Sequence, residues 1–356
     1  MKLPDTIDVP VRSADESAAA PAVVGRSPRQ LIWSRFRQDR AAMAGAVVIA
    51  ILVALALAAP LIARLFGHGP NDLHPGMTTS LGLPTGPDSR FWFGVDAIGR
   101  DVLVRTIYGA RTSLTVAFVA TGIAFVLGLG AGMLAGFRGG WVDTVISRAI
   151  DIMLALPLLL FAIGIAATCS VNARGCLGGL IQPGVRLVVI LIALFTWPYI
   201  ARIVRGQTLS IRESGYVEAA RALGAGTGHV LVEEIFPNLL TPVIVYTTLL
   251  IPSNILFEAG LSFLGLGIPS SEASWGGMLA QASQGELFTY AWWMMLFPGL
   301  FLLLTTLAFN LVGDGIRDAV DPHGIPFRGP RRSVFADWVL RRRRRSNPAI
   351  ELATGT

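Results

Sequence analysis

The sequence has little charge and only one lysine. Only 15% of its 356 residues are charged and 53% are hydrophobic, whereas roughly 25% of an ordinary soluble domain is charged. This composition excludes a typical soluble enzyme, a disordered chain and a disulfide-rich scaffold. The one lysine, Lys2, follows Met1. A Walker A loop needs a lysine after a glycine-rich turn, so we expect no ATP site of that kind in this chain.

Residues that commonly bind metals or act as nucleophiles are also scarce. The two cysteines and four histidines are widely spaced, and neither H-E-x-x-H nor G-x-S-x-G occurs. A metal site or a hydrolase triad would show such clusters. A membrane enzyme is a rival interpretation, but it would need a catalytic constellation, and the histidines are scattered along the chain. We therefore predict no catalytic residue, no metal and no cofactor.

Long uncharged intervals dominate the remaining sequence. A spanning helix needs about 20 apolar residues, and six stretches without Asp, Glu, Lys or Arg approach or exceed that length. They are Ala41–Ala63, Thr112–Phe137, Ile152–Ala173, Leu187–Ala201, Ile235–Phe257 and Leu287–Gly313. The fourth has 15 residues, so we expect it to extend past Arg186 or Arg202, whose head groups can reach an interface. The sequence predicts an all-α membrane protein with six transmembrane helices.

The basic residues predict the orientation. An even number of spans places both termini on one side, and basic residues concentrate on the inner side. With both termini inside, the outer loops hold only seven of the 29 basic residues. These are Arg64, Arg90, Arg100, Arg105, Arg111, Arg174 and Arg186. The net charge of +6 therefore reflects an N-in, C-in orientation and membrane lipids as partners, and not nucleic acid.

Five regions follow from this pattern. We predict that residues 1–30 are a disordered cytoplasmic tail, and that 31–66 are an anchor with the first transmembrane helix. An extracytoplasmic loop spans 67–110, and a five-helix core spans 111–322. Residues 323–356 form a basic cytoplasmic tail with five consecutive arginines at 341–345, which suits an anionic lipid surface.

Prolines and cysteines mark further features of the core. Pro157, Pro242 and Pro252 lie inside predicted spans and indicate kinks. Cys169 and Cys176 fall in the second outer loop. Outside the membrane their separation permits a disulfide bond, with two free thiols as the alternative.

Charged residues also lie at the predicted outer side, just before the second span. Asp96, Arg100 and Asp101 bracket a glycine just before the second span. They indicate a capped helix start with local salt bridges.

Glu258 lies near the end of the fifth span, and an ionisable group within a membrane is a functional candidate. It could face a transport path and meet an amino terminus. It could instead pair with Arg105 or Arg111 and hold helix ends together, which is the role we favour.

The segment between the fourth and fifth spans, 202–238, is far longer than a turn needs. Val217–Leu223 consists of good helix formers, and a Gly-x-Gly-x-Gly stop begins at Gly224. A second helical piece runs from His229 to Pro237. The segment therefore predicts a helix, a glycine break and a second helix, with an exposed turn at the membrane surface.

Glu218-Ala219-Ala220, then Gly224, then Pro237 resembles the EAA loop of ABC import permeases. In that family the loop, here 212–238, forms the coupling helix that docks into a groove on an ATPase subunit. The resemblance implies an ATPase-coupling role for one set of residues. They are Tyr216, Glu218, Ala219, Ala220, Leu223 and Gly224.

Other stretches look like the C-type permease of dipeptide and oligopeptide importers. They are 94–114, 258–267, 275–279 and 310–322, and the resemblance covers about 31–322. It implies the type I ABC importer permease fold in a bacterial inner membrane. It also strengthens the alternative that Asp96, Arg100 and Asp101 belong to a docking surface for a binding protein.

The resemblance further implies the partners and the cargo. A second, homologous permease completes a heterodimer, and two ATPase subunits bind ATP and Mg. An extracytoplasmic binding protein delivers di- or oligopeptides. Nickel, glutathione and small oligosaccharides are alternative cargoes of the family. An ion-coupled secondary transporter is the rival from another class, and independence of uptake from ATP would identify it.

Overall fold

The structure is a computed structural model that describes residues 28–79, 83–171 and 181–321. Its helices are α1 (Pro28–Gln38), α2 (Arg40–Phe66), α3 (Val102–Arg138), α4 (Gly140–Ala155), α5 (Leu158–Val171), α6 (Val185–Arg212), α7 (Gly215–Ala222), α8 (Thr227–His229), α9 (Phe236–Phe263), α10 (Trp275–Ser283), α11 (Leu287–Tyr290) and α12 (Trp293–Val320). A π-helical stretch, Val230–Ile235, joins α8 to α9, and a 3-10 turn, Gln284–Glu286, joins α10 to α11. The all-α prediction is confirmed.

In the part of the chain that the structure describes, five helical stretches are long and apolar enough to cross a membrane. They are α2, α3, α6, the run from α8 through α9, and α12. A sixth candidate is the pair α4 and α5, which bends by 84° at a short break. The break lies at Leu156, which has the extended backbone (φ −74°, ψ 131°) that a following proline favours. The kink expected at Pro157 is therefore present. The predicted third span is divided, because Ile152 and its neighbours belong to α4.

Helix α3 begins at Val102, ten residues before the uncharged interval that predicted it. The Asp101 side chain caps this end by accepting hydrogen bonds from the backbone N–H groups of Leu103 and Val104, at 2.7 and 3.2 Å. Such a cap satisfies N–H groups that have no partner within the helix. The predicted 67–110 loop therefore ends at residue 101 in the structure. The fourth span extends past both Arg186 and Arg202, as expected.

Among the described helices, α3 and α6 share the most extensive contact. Gly128, Gly132 and Gly136 lie on the α3 face that meets α6. A Cβ atom added at Gly132 would stand 2.6 Å from the carbonyl oxygen of Ala201, and one at Gly128 would stand 2.7 Å from Ile200. Glycine every four residues lets two helix backbones approach this closely. The pair is thus fixed by backbone contact.

The predicted tails lie outside the described residues, apart from residues 28–30, which are the start of α1. The arginine run at 341–345 lies there as well. Cys169 is a fully buried residue of α5, whereas Cys176 falls outside the described residues. The proposed disulfide stays a prediction.

Candidate functional site

The segment Gly215–Ile235, which we call the coupling segment, begins with α7 and turns sharply at Gly224. Gly224 has φ +89°, a conformation that residues with a Cβ rarely adopt. Its N–H donates to the carbonyl of Arg221 at 2.9 Å, and the N–H of Ala225 donates to that of Ala220 at 3.0 Å. These two bonds form a Schellman cap at the end of α7. The helix, glycine break and second helix predicted here are confirmed.

One face of the coupling segment is anchored in the bundle. Val217, Val230 and Ile235 are at most 1% exposed and share an apolar cluster with side chains from α3, α6 and α9. Burying such side chains contributes about 1.5–3 kcal/mol each. The segment is therefore fixed to the ends of the spans by its apolar face.

The opposite face of the coupling segment is open. Leu223 is 90% exposed and Tyr216 is 46% exposed, and Glu218, Ala219 and Gly224 are exposed as well. Ala220 is partly buried. The residues predicted to couple to an ATPase therefore lie together on one accessible surface with small side chains at its centre.

Arginines tie the coupling segment and α6 to the end of α3. The guanidinium of Arg221 stands 5.3 Å from the ring centroid of Phe137. The side chain of Arg212, the last residue of α6, donates to the carbonyl oxygens of Gly136 and Phe137 at 3.2 and 3.3 Å. Those carbonyls belong to the last turn of α3, where a cation is favoured. A displacement of α7 therefore acts on both α3 and α6.

Helix α4 is attached to α6 by charge. The guanidinium of Arg205 donates twice to the carboxylate of Asp143, in a bidentate pair. Arg202 donates to Asp151 at 2.7 Å. Both acids lie on the same face of α4, so this helix is bound to α6 close to the coupling segment.

A second polar cluster lies at the other end of α3, and it is buried. Asp96 is 3% exposed, and its carboxylate accepts from the Nε atom of Arg100 at 2.7 Å. Arg105 is 1% exposed and donates to the carbonyl oxygens of Pro70 and Ser270 at 2.9 and 3.3 Å. Arg100 also donates to the Ser270 carbonyl, at 3.0 Å. The cluster thus joins the loop before α3 to the loop before α10.

Asp101 continues this cluster on the other side of the helix start. Its carboxylate stands 3.2 Å from Nδ1 of His68, and both residues are buried. His68 stacks on the ring of Phe91, at 5.2 Å between centroids. Burial raises the pKa of the Asp101 carboxyl, although the backbone N–H groups that it caps and His68 oppose the shift.

This burial bears on the predicted docking surface. Asp96, Arg100 and Asp101 are at most 6% exposed. The pair of Asp96 with Arg100 is a local salt bridge of the kind that one interpretation predicts. A direct contact with a binding protein needs accessible atoms. Docking through these three side chains stays an untested prediction, and the cluster's evident role is to shape the surrounding loops.

Glu258 is fully buried in α9. Its carboxylate accepts hydrogen bonds from the hydroxyls of Ser113 on α3 and Ser262 on α9, both at 2.8 Å. The Ser262 hydroxyl oxygen in turn accepts from the backbone N–H of Ile268, at 3.1 Å. The partners are serines, and not the arginines considered from the sequence. This geometry supports the structural role.

Sequence reasoning missed a polar triad among three spans. Asn254 of α9 donates to the hydroxyl of Thr121 on α3, at 2.8 Å, and accepts from the hydroxyl of Thr196 on α6, at 3.1 Å. All three side chains are buried. Asn254 is a polar residue within an apolar interval, and this signal could have found it. Among the described residues, no group of three His, Cys, Asp or Glu side chains is placed to hold a metal ion.

The fold and this geometry define a helical membrane protein whose spans end in an exposed, anchored coupling segment. Residues 128–323 match the model of a family described as the binding-protein-dependent transport system inner membrane component. Residues 27–81 match the N-terminal transmembrane domain of oligopeptide transport permease C.

Curated relatives are similar in sequence to this chain along most of its length. The dipeptide transport system permease protein DppC of Bacillus subtilis is 37% identical over 82% of this chain and 84% of its own length. The di/tripeptide transport system permease protein DppC of Pseudomonas aeruginosa is 37% identical over 86% of this chain and 95% of its own. A putative peptide permease protein of Brucella ovis is 37% identical over 85% and 93%. The chain belongs to the family of binding-protein-dependent transport system inner membrane components.

Solved structures overlap less closely. An inward-facing form of the MetNI methionine ABC transporter is 21% identical, with a TM-score of 0.48, and the match covers 62% of this chain and 96% of that chain. An amino acid ABC transporter with histidines is 18% identical, with a TM-score of 0.40 over 57% and 91%.

Proposed function

We propose that this chain is the permease subunit of an ATP-driven importer that moves di- or oligopeptides into the cell. The observation that carries the proposal is the coupling segment, whose apolar face is anchored in the bundle and whose other face is open. The relatives named as dipeptide and di/tripeptide permeases support the cargo. Nickel, glutathione and small oligosaccharides are the alternatives within the same machine.

The subunit works with partners that supply energy and cargo. Two ATPase subunits bind ATP and Mg and receive the open face of the coupling segment, while a second permease completes a heterodimer. The 67–101 loop and the coupling segment lie at opposite ends of α3, which has 37 residues and spans about 55 Å at 1.5 Å per residue. With both termini inside, the coupling segment faces the cytoplasm. The binding protein delivers cargo to the other end.

Closure of the ATPases on ATP moves the coupling segment, which in turn moves the α3 and α6 pair. Val217 and the contacts of Arg221 and Arg212 with the end of α3 transmit the displacement. The backbone contact at Gly132 makes the two helices move together. ATP thereby changes the relative stability of inward-open and outward-open states, which is how a ligand shifts a conformational equilibrium.

Purification from native membranes followed by reconstitution tests the proposal. We expect a second permease, ATPase subunits and a binding protein to copurify, and the assembly in liposomes to take up radiolabelled tripeptide only with hydrolysable ATP. Uptake by the chain alone without ATP would contradict the proposal and indicate an ion-coupled carrier. Uptake of nickel, glutathione or an oligosaccharide in place of peptide would correct the cargo alone.

A further inference from the structure

A cavity of about 280 Å³ lies among α5, α6 and α9. This size is close to the lower end of the range for small-molecule sites, about 300 Å³. Apolar side chains such as Phe195, Leu250 and Phe257 form part of its wall. The remaining wall is polar but uncharged, and consists of Thr196, Tyr199, Tyr246, Ser253 and Asn254.

The polar part of the wall is built and held in place. Asn254 is 5% exposed and is fixed by Thr121 and Thr196 on two other helices. An amide side chain has two donor hydrogens, and the bond to Thr121 uses one of them. Ser253, the neighbour of Asn254, is exposed at the cavity. The site therefore combines a rigid amide with an accessible hydroxyl.

These groups suit the chemistry of a peptide. Hydroxyls and an amide both donate and accept hydrogen bonds, as the N–H and C=O groups of a peptide backbone require. The apolar part of the wall suits an amino-acid side chain, and no lining residue is charged. A site that a cargo must both enter and leave should bind weakly, and a wall without charge meets that need.

We propose that this cavity is a cargo subsite of the translocation path, where a peptide in transit places one side chain against α5, α6 and α9. The inference rests on the proposed function and adds the residues that meet the cargo. A lipid tail is a less well matched occupant. It makes no hydrogen bonds, so it would leave the hydroxyls of Tyr199, Tyr246 and Ser253 facing hydrocarbon at a cost. A helix of the partner permease is tested by the experiment.

The test fills the cavity without disturbing the core. Ser253→Phe adds a ring at an exposed lining position. The matched control is Thr115→Phe, which makes a similar change at an exposed position of α3 that does not line the cavity. Both variants are assembled with the copurified partners in liposomes. ATP-dependent uptake of triglycine and of triphenylalanine is then measured, together with ATPase activity stimulated by the binding protein.

We expect Ser253→Phe to slow uptake of triphenylalanine about tenfold relative to triglycine, because a few carbon atoms in an apolar pocket discriminate by that factor. Thr115→Phe should leave the ratio of the two rates unchanged. Stimulated ATPase activity should persist in both variants, which would show that the assembly is intact.

Two results would overturn the subsite. An equal loss for both peptides with ATPase activity also lost would indicate a seat for a partner helix. Unchanged rates for both peptides would place the cavity off the path. In either case ATP-dependent uptake by the unmodified assembly would still uphold the proposed function. If the unmodified assembly takes up neither peptide, the proposed function and the subsite both fail.

A direct measurement complements the rates. A tripeptide carrying a photoreactive benzophenone side chain is added to the assembly, illuminated during turnover, and its attachment mapped by mass spectrometry. Crosslinks to α9 near Ser253 or to α6 near Tyr199 are expected, and Ser253→Phe should reduce them. Crosslinks confined to other helices would contradict the placement.

Discussion

The two ends of α3 are held by different kinds of contact. At its start, Asp96, Arg100 and Arg105 are buried, and the two arginines donate hydrogen bonds to carbonyl oxygens of two loops. At its end, the coupling segment is held by apolar side chains and leaves Leu223 in water. Buried charge holds the loops at the start of α3, whereas an uncharged leucine and small residues such as Ala219 are exposed at the surface where we propose that an ATPase binds. Removal of single anchors should therefore destabilise the first end and uncouple the second.

Loss of Arg105 should have the largest effect on stability. Arg105→Met removes a buried cation that lies 3.7 Å from Asp96 and donates to the carbonyls of Pro70 and Ser270, and leaves Arg100 as the cation that still contacts Asp96 and Ser270. Removing one member of a buried ion network costs up to about 3–5 kcal/mol. We expect a marked fall in the thermal unfolding temperature in detergent. Arg64→Met, the same change at an exposed position, is the control, and equal unfolding temperatures for the two variants would refute the prediction.

Loss of the Glu258 carboxylate should have the second largest effect on stability. Glu258→Leu leaves the hydroxyls of Ser113 and Ser262 without their acceptor, at a cost of about 1–3 kcal/mol. Glu258→Gln retains an acceptor oxygen and should be milder. Thermal unfolding measures both variants. If Glu258→Gln keeps its stability but changes the affinity for peptide, the structural role is wrong and a substrate role replaces it.

Gly224 separates stability from coupling. Gly224→Val must adopt φ +89° with a Cβ, which costs about 1–2 kcal/mol, so α7 should end differently while the core stays folded. Uptake and stimulation of the partner ATPases should fall severely.

The control for Gly224 is Gly226→Val. Gly226 has φ −69° and open space where a Cβ would be, so this substitution needs no change of backbone. If both variants, or neither, lost ATPase stimulation, the turn at Gly224 would not be the coupling element.

The smallest effect should come from Arg221. A cation over an aromatic ring contributes about 0.5–1 kcal/mol at an exposed site, so Arg221→Leu should weaken the tie between α7 and Phe137 only slightly. A double-mutant cycle with Phe137→Leu measures their interaction free energy. A coupling energy of zero would leave the bonds of Arg212 as the polar link to α3.

The sequence predicted the spans and the turn of the coupling segment because those signals are local. Apolar length indicates a span, and a glycine after a helical run indicates its end. The uncharged interval places the start of α3 too late, because it begins only after Arg111 and therefore excludes Arg105. Its partners, Pro70 and Ser270, lie 35 and 165 residues away, and no local pattern reveals them.

The angles between helices and the partners of buried polar side chains could not be predicted from the sequence either. Pro157 predicted a kink, but not the 84° that separates α4 from α5. Glu258 was recognised as important, yet its bond to Ser113 spans 145 residues. The triad of Asn254 depends on the packing of three helices, and the π-helical stretch at 230–235 carried no recognised signal. What the sequence left open depends on contacts between distant segments.

The exposure of Leu223 affects how a subunit behaves before it assembles with its proposed partners. Because Leu223 is 90% exposed, a copy without partners presents an apolar side chain that, under the proposed function, an ATPase subunit covers. Covering a leucine contributes about 1.5–3 kcal/mol, a change of roughly tenfold or more in the association constant. Under the proposed function, copies made in excess over the ATPases would keep Leu223 exposed to chaperones and proteases, so the leucine proposed to favour assembly would also identify subunits that have failed to assemble.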